Sequence, residues 1–172
     1  MAEKILAGEY RSPRQMLADQ EYGGHTSIHD DETAERLGFQ AGPIEGPTHF
    51  SQFVPLLAEL WGPAWFERGC LSSHFQNMCV EGEAVKAFAR YDSEKPFEAQ
   101  IWAEKEDGTP VLTGTASLPD ESGLHPETEL ERRLNKLTPP GHLVILEDLS
   151  VGQLGASPEP VVMGFDQNMG AL

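Results

Sequence analysis

The chain has 172 residues, of which 12 are basic and 28 acidic, giving a formal net charge of −16, and 39% are apolar. That length suits one domain with an extension and that apolar share suits a packed core, while no apolar run approaches the ~20 residues a membrane-spanning helix needs. So acidic a surface repels phosphate backbones, which sets nucleic acid aside as a partner, and it repels an acidic carrier protein too.

The opening MAEKILAGEYRSPRQ lacks a secretory hydrophobic region, so a cytoplasmic protein is expected. Ser12 as N-cap and Pro13 in the first position predict a short helix over 12–20. Gly23 and Gly24 then open a loop carrying His25 and His29. Asp30, Asp31 and Glu32 start a helix through Leu37, where carboxylates complement the positive helix end and cap free N–H groups. Ala34 and Leu37 are expected to face inward, Gly38 to stop the helix, and Phe39 to join the core.

The GPIEGP turn at 42–47 feeds a helix expected from Pro47 to Trp61. Phe50, Phe53, Val54, Leu57, Leu60 and Trp61 follow i, i+3, i+4, i+7 spacing, a broad apolar stripe that something must wrap. Pro55 removes the hydrogen bond to the Ser51 carbonyl and predicts a kink. Gly62-Pro63 is the expected terminator. Leu71 to Phe75 is strand-like, and Ala84 to Tyr91 and Phe97 to Glu104 alternate apolar and polar. Asp107-Gly108 marks a hairpin turn before a strand from Val111 to Leu118. A helix followed by an antiparallel meander is an α+β pattern, with the sheet curled around the helix.

Beyond Asp120 the sequence predicts a charged helix over 127–137, a break at 138–141 and one more strand over 142–149. Residues 1–122 are therefore read as the domain and 123–172 as an extension packing on the sheet or on a partner subunit. Cys70 and Cys79 form neither a C-x-x-C nor a metal spacing and are read as reduced, structural thiols.

Ile28-His29, Asp31, Ala34, Gly38-Phe39 and Gly46 fall on a pattern that resembles the MaoC-like hydratases, and the likeness extends over about residues 22–118. It implies a hot-dog fold, an acyl thioester substrate such as an enoyl-CoA, no cofactor, and a homodimer or higher homo-oligomer. Coenzyme A is favoured over a carrier protein, and Arg68, Lys86, Arg90 and Lys105 are candidates for meeting its phosphates. Two positions depart from the pattern. Gly24 stands where the family's catalytic Asp would be, and Glu45 replaces the His before Gly46.

Hydration of an enoyl thioester needs a group to activate water and a donor for the developing enolate oxygen. By the resemblance, His29 is the imidazole and Gly46 the backbone donor at the helix start. Glu45 and Asp31 are the candidate carboxylates in place of the missing Asp, although Asp31 has a structural role as a helix-start residue. His25, Thr48 and His49 are candidate substrate contacts, with Ser51 and Gln52 continuing the polar edge of the helix. His25 and His29 make an H-x-x-x-H, but their loop setting argues against a metal site. Two readings stand, a hydratase or dehydratase with a relocated carboxylate and a non-catalytic subunit that binds an acyl group or completes a partner's site. A thioesterase is a weaker third.

Overall fold

A computed structural model describes residues 3–15, 27–139, 141 and 150–155. The elements are β1 (Glu3–Ala7), α1 (Asp31–Arg36), α2 (Gly46–Ser51), α3 (Val54–Trp61), α4 (Pro63–Arg68), β2 (Cys70–Phe75), β3 (Val85–Asp92), β4 (Glu98–Lys105), β5 (Pro110–Ser117) and α5 (Glu129–Leu134). The strands form one antiparallel sheet in the order β1-β3-β4-β5-β2. This is an α+β arrangement in which four strands after the helices, plus one before them, supply the sheet.

Alternation decides which face of the sheet is wet. Val85, Ala87 and Ala89 on β3 and Ala99, Ile101 and Ala103 on β4 are buried, as their period of two requires. All of these but Ala99 form one core with Leu6 of β1, Leu112 and Ala116 of β5, and Phe53, Leu56 and Leu57 from the helices. Phe53 and Leu57 are fully buried, each worth about 2 kcal/mol of apolar burial. The strand residues between them point to the other face. There Phe88 and Trp102 stack face to face at 5.0 Å, with Arg90 over the Trp102 ring.

The helix expected over 47–61 is two helices, α2 and α3, separated at Gln52 and Phe53. Pro55 has no N–H to return to the Ser51 carbonyl, so the ladder breaks one turn ahead of it. Gln52 and Phe53 instead donate to the carbonyls three residues back, His49 and Phe50. The apolar stripe survives the break, because Phe53 and Leu57 still share one face. Gly62 (φ +57°) ends α3 as expected, but Pro63 then opens α4, a helix the sequence reading did not foresee.

α1 ends in a Schellman motif. Gly38 sits at φ +90°, its N–H bonds to Glu35 and the Phe39 N–H reaches back to Ala34. Ala34 is buried as expected, whereas Leu37 and Phe39 are exposed, which corrects their assignment to the core. A helix of under two turns buries only one position per turn, and Thr33-Ala34 takes it. Of the helix expected over 12–20, residues 12–15 have no regular structure and the rest lie outside the described residues, as does the strand expected over 142–149. α5 falls within the helix expected over 127–137. It has a capping box, Thr128 with Glu131, and is pinned to the outer sheet face by Glu129 N–H to Thr115 Oγ1 and Leu130 N–H to Ser72 Oγ. Asp107-Gly108 makes the β4–β5 turn with Gly108 at φ +83°.

Candidate functional site

The site begins with the start of α1. Asp30 caps it by accepting the Thr33 N–H at 2.9 Å, a bond that holds its carboxyl below the usual range. That cap fixes the two residues on either side. Asp31 Oδ1 accepts the Gly42 N–H at 2.8 Å, tying α1 to the turn before α2. His29 precedes the cap, and its carbonyl lies so close to Gly42 that a Cβ there would run into it. Glycine at 42 is a steric requirement, set by the close approach of two backbone segments.

The same turn fixes the imidazole. His29 Nδ1 lies 2.6 Å from the Pro43 carbonyl oxygen. A carbonyl only accepts, so Nδ1 carries the proton, and in the neutral ring Nε2 is left as an acceptor. The Pro43 carbonyl also accepts from Gln15 Nε2 at 2.6 Å, and Gln15 Nε2 reaches the Gly42 carbonyl at 2.9 Å. Ile44 N–H to the Cys79 carbonyl, at 2.7 Å, anchors the turn from the far side. The half-buried His29 ring is thus held by backbone that is itself held from both directions.

Three residues on, α2 starts. Glu45 is its N-cap but makes no side-chain cap bond, and Gly46 is the first helical residue. The first N–H groups of a helix have no partner inside it. Of these, Thr48 N–H bonds back to the Glu45 carbonyl at 3.1 Å, and Pro47 has none to offer. A Cβ on Gly46 would stand 2.9 Å from the Phe75 ring, so glycine lets β2 press its aromatic side chain against the helix start. Phe75 stacks on Phe50 at 5.8 Å and tilts against His49 at 6.3 Å. His49 is 2% exposed, and burial pushes its imidazole down to about 4.

The structure therefore gathers His29, Asp31 and Gly42 around one turn, and sets Glu45, Gly46, Thr48 and His49 on the short helix that follows it. Among the described residues no hydrogen bond joins His29 to Glu45: the ring is taken by Pro43, and Glu45 Oε2 has no partner. Gly24 and His25 lie outside the described residues. The four candidate cations form no common patch. Lys105 is bound to Glu83 at 2.7 Å, and Arg68 closes α4. Lys86 and Arg90 stand on the outer sheet face, where Arg90 lines a cleft of about 260 Å³ with Trp102 and Glu129. Gln15 and Phe75 were missed from sequence. Gln15 lies 14 residues before His29 with no periodicity to mark it, and Phe75 read only as the end of a strand.

No protein-family model matches the chain, and no curated protein does. Among solved structures, the chain is similar to an (R)-hydratase from A. caviae involved in PHA biosynthesis, with 18% identity over 69% of this chain and 95% of that one, TM-score 0.45. It is also similar to a monoamine oxidase regulatory protein from Archaeoglobus fulgius, with 13% identity over 69% and 88%, TM-score 0.49. A third is an R-hydratase from Pseudomonas aeruginosa in the unliganded form, with 16% identity over 73% and 84%, TM-score 0.46.

Proposed function

We propose that the chain is a hot-dog subunit of the MaoC-like kind that hydrates an enoyl thioester, or dehydrates the corresponding 3-hydroxyacyl thioester, with His29 as general base and acid. One observation carries the reading: Nδ1 of His29 donates to the Pro43 carbonyl, which orients the ring and leaves Nε2 as its basic nitrogen. Nε2 takes a proton from water as the oxygen adds to C3 of the enoyl group. Electron density moves through C2 to the thioester oxygen, which the N–H at Gly46 receives. C2 then takes the proton from the imidazolium, which restores the neutral ring, and the net change is water across one double bond, with Glu45 the candidate carboxylate at the same helix start. Asp31 acts on the backbone through Gly42, as a positioning residue. Thr48 and His49 flank the acyl group, and His25 is kept as a candidate contact.

The substrate is a coenzyme A thioester in preference to a carrier-protein one, because a net charge of −16 opposes docking of a second acidic protein. The working unit is a cytoplasmic homodimer, since an edge strand such as β2 is an unpaired ladder that needs cover. Residues 123–172 form an extension to the hot-dog domain, and the reaction needs no cofactor or metal. Among the described residues no helix is long and apolar enough to cross a membrane.

A second reading has an observation of its own. Among the described residues the His29 ring is bonded to a carbonyl and to no carboxylate, which suits a subunit that binds an acyl thioester without turning it over. Loss of the conjugated enoyl absorbance with a 2-enoyl-CoA separates the two. The hydratase reading expects turnover that falls at least about 10²-fold in His29→Ala with the protein still folded. Wild-type binding without turnover supports the second reading, and release of free thiol would support a thioesterase. Turnover unaffected by His29→Ala overturns the proposed base.

A further inference from the structure

Glu45, His49 and Gln52 are spaced i, i+4, i+7, so they lie on one face of α2. This face is not turned to solvent. His49 and Gln52 are 2% and 5% exposed. His49 Nδ1, both amide atoms of Gln52 and Glu45 Oε2 are buried with no hydrogen-bond partner among the described residues, and so is Ser73 Oγ of β2. Ser72 points its hydroxyl to the outer face, where it accepts from Leu130, so its neighbour Ser73 points to the inner face that packs on the helices. Because both atoms of the Gln52 amide are unpaired, exchanging them changes nothing. A buried polar atom without a partner costs about 1–3 kcal/mol, so a row of them is retained only where something answers them. The row starts at Glu45, beside the candidate oxyanion donor, and runs about 10 Å along the helix.

We propose that this polar row is the acyl-chain subsite and that it selects a chain bearing a hydroxyl group over a plain hydrocarbon one. The inference rests on the reading of the chain as an acyl-thioester protein, and it adds the class of acyl group. Its chemistry narrows the choice. Glu45 Oε2 and Gln52 Oε1 only accept and Gln52 Nε2 only donates, so the ligand group must do both, as a hydroxyl does. A carboxylate would set a second negative charge beside Glu45, and a methyl end would leave every one of these atoms unmet.

The test is a pair of 2-enoyl-CoA thioesters of equal length, one ending in methyl and one in hydroxyl, over a short homologous series. Wild type should favour the hydroxyl-ended member by at least about 10-fold in kcat/KM, since sites built to bind a hydroxyl discriminate strongly against its absence. Gln52→Leu should abolish or reverse that preference. Saturated acyl-CoA analogues of the same pair give a binding readout free of turnover. Equal or methyl-favouring turnover by wild type overturns the inference, needs no variant to fold, and leaves the hydratase reading intact. No turnover, with tighter binding of the hydroxyl-ended analogue, removes the hydratase reading and supports the inference. No binding of either analogue overturns both.

Discussion

His49 makes the stability of this protein depend on acid in a defined window. Its imidazole is buried against Phe75, and desolvation lowers its protonation from 6.5 in the free side chain to about 4 in the fold. Above pH 6.5 the ring is neutral in both states and contributes no pH dependence. As the pH falls below 6.5, the unfolded chain binds a proton at this site and the folded one does not, so stability drops until about pH 4, where the folded state binds it as well. The interval corresponds to about 3 kcal/mol, at no more than about 1.4 kcal/mol per pH unit. The perturbation is His49→Gln, which removes the titration and keeps a polar side chain. The assay is urea unfolding of both proteins between about pH 7.5 and about pH 4.5, read as the difference in unfolding free energy. The carboxylates bound at Asp30, Asp107, Asp120 and Glu131 are common to both proteins and cancel in the difference. Glu45, one turn earlier on the same helix face, is checked by repeating the pair with Glu45→Gln. The variant should be the less stable at neutral pH and should gain on wild type by about 3 kcal/mol toward acid. Parallel curves across the window would refute the argument.

Gly42→Ala should destabilise by about 1–3 kcal/mol and cut any turnover as well, because its Cβ would meet the His29 backbone and shift the ring. A melting temperature unchanged from wild type would show that the approach is looser than described. In a thiol-labelling experiment on the native protein Cys70, half-buried, should react well before Cys79, whose thiol burial pushes up to about 11, and Cys79 should react only on unfolding. Equal rates would count against a closed core at Cys79. Screening should weaken the self-repulsion of a chain with net charge −16, so the melting temperature should hold or rise from low to moderate salt, and a clear fall would contradict that picture.

What could be read in the sequence follows from periodicity. β3 and β4 alternate cleanly, so the division of each strand into two faces was legible from its period alone. The apolar stripe of the helix was equally plain at Phe53 and Leu57, while its division into α2 and α3 was foreseen only as a kink, because one proline fixes the missing bond but not how far the ladder opens. β1 was missed because Glu3–Ala7 is only five residues of edge strand, too short to show a period. At the site, the motif drew attention to His29 and Gly46, and nothing local could have disclosed that Pro43 is the ring's partner. That contact, like the Gln15 clamp, joins residues 14 and 28 apart and exists only once the chain has folded. Leu37 and Phe39 erred in the opposite direction, being apolar by type yet stranded at the end of a helix too short to cover them.

The Pro43 carbonyl bears on how protons can travel. A carboxylate behind an imidazole offers a compensating charge and, in principle, a second place for a proton to rest. An amide oxygen offers neither, and this one already accepts a second hydrogen bond from Gln15. Traffic at His29 is therefore one-ended: whatever arrives at Nε2 must depart from Nε2. A ring wired in this way is a cul-de-sac and not a relay, so the proton drawn from the attacking water is delivered to carbon from the same nitrogen, and water adds to one face of the double bond. Run in deuterated water, such chemistry would set the deuterium at C2 on the same face as the new hydroxyl group at C3.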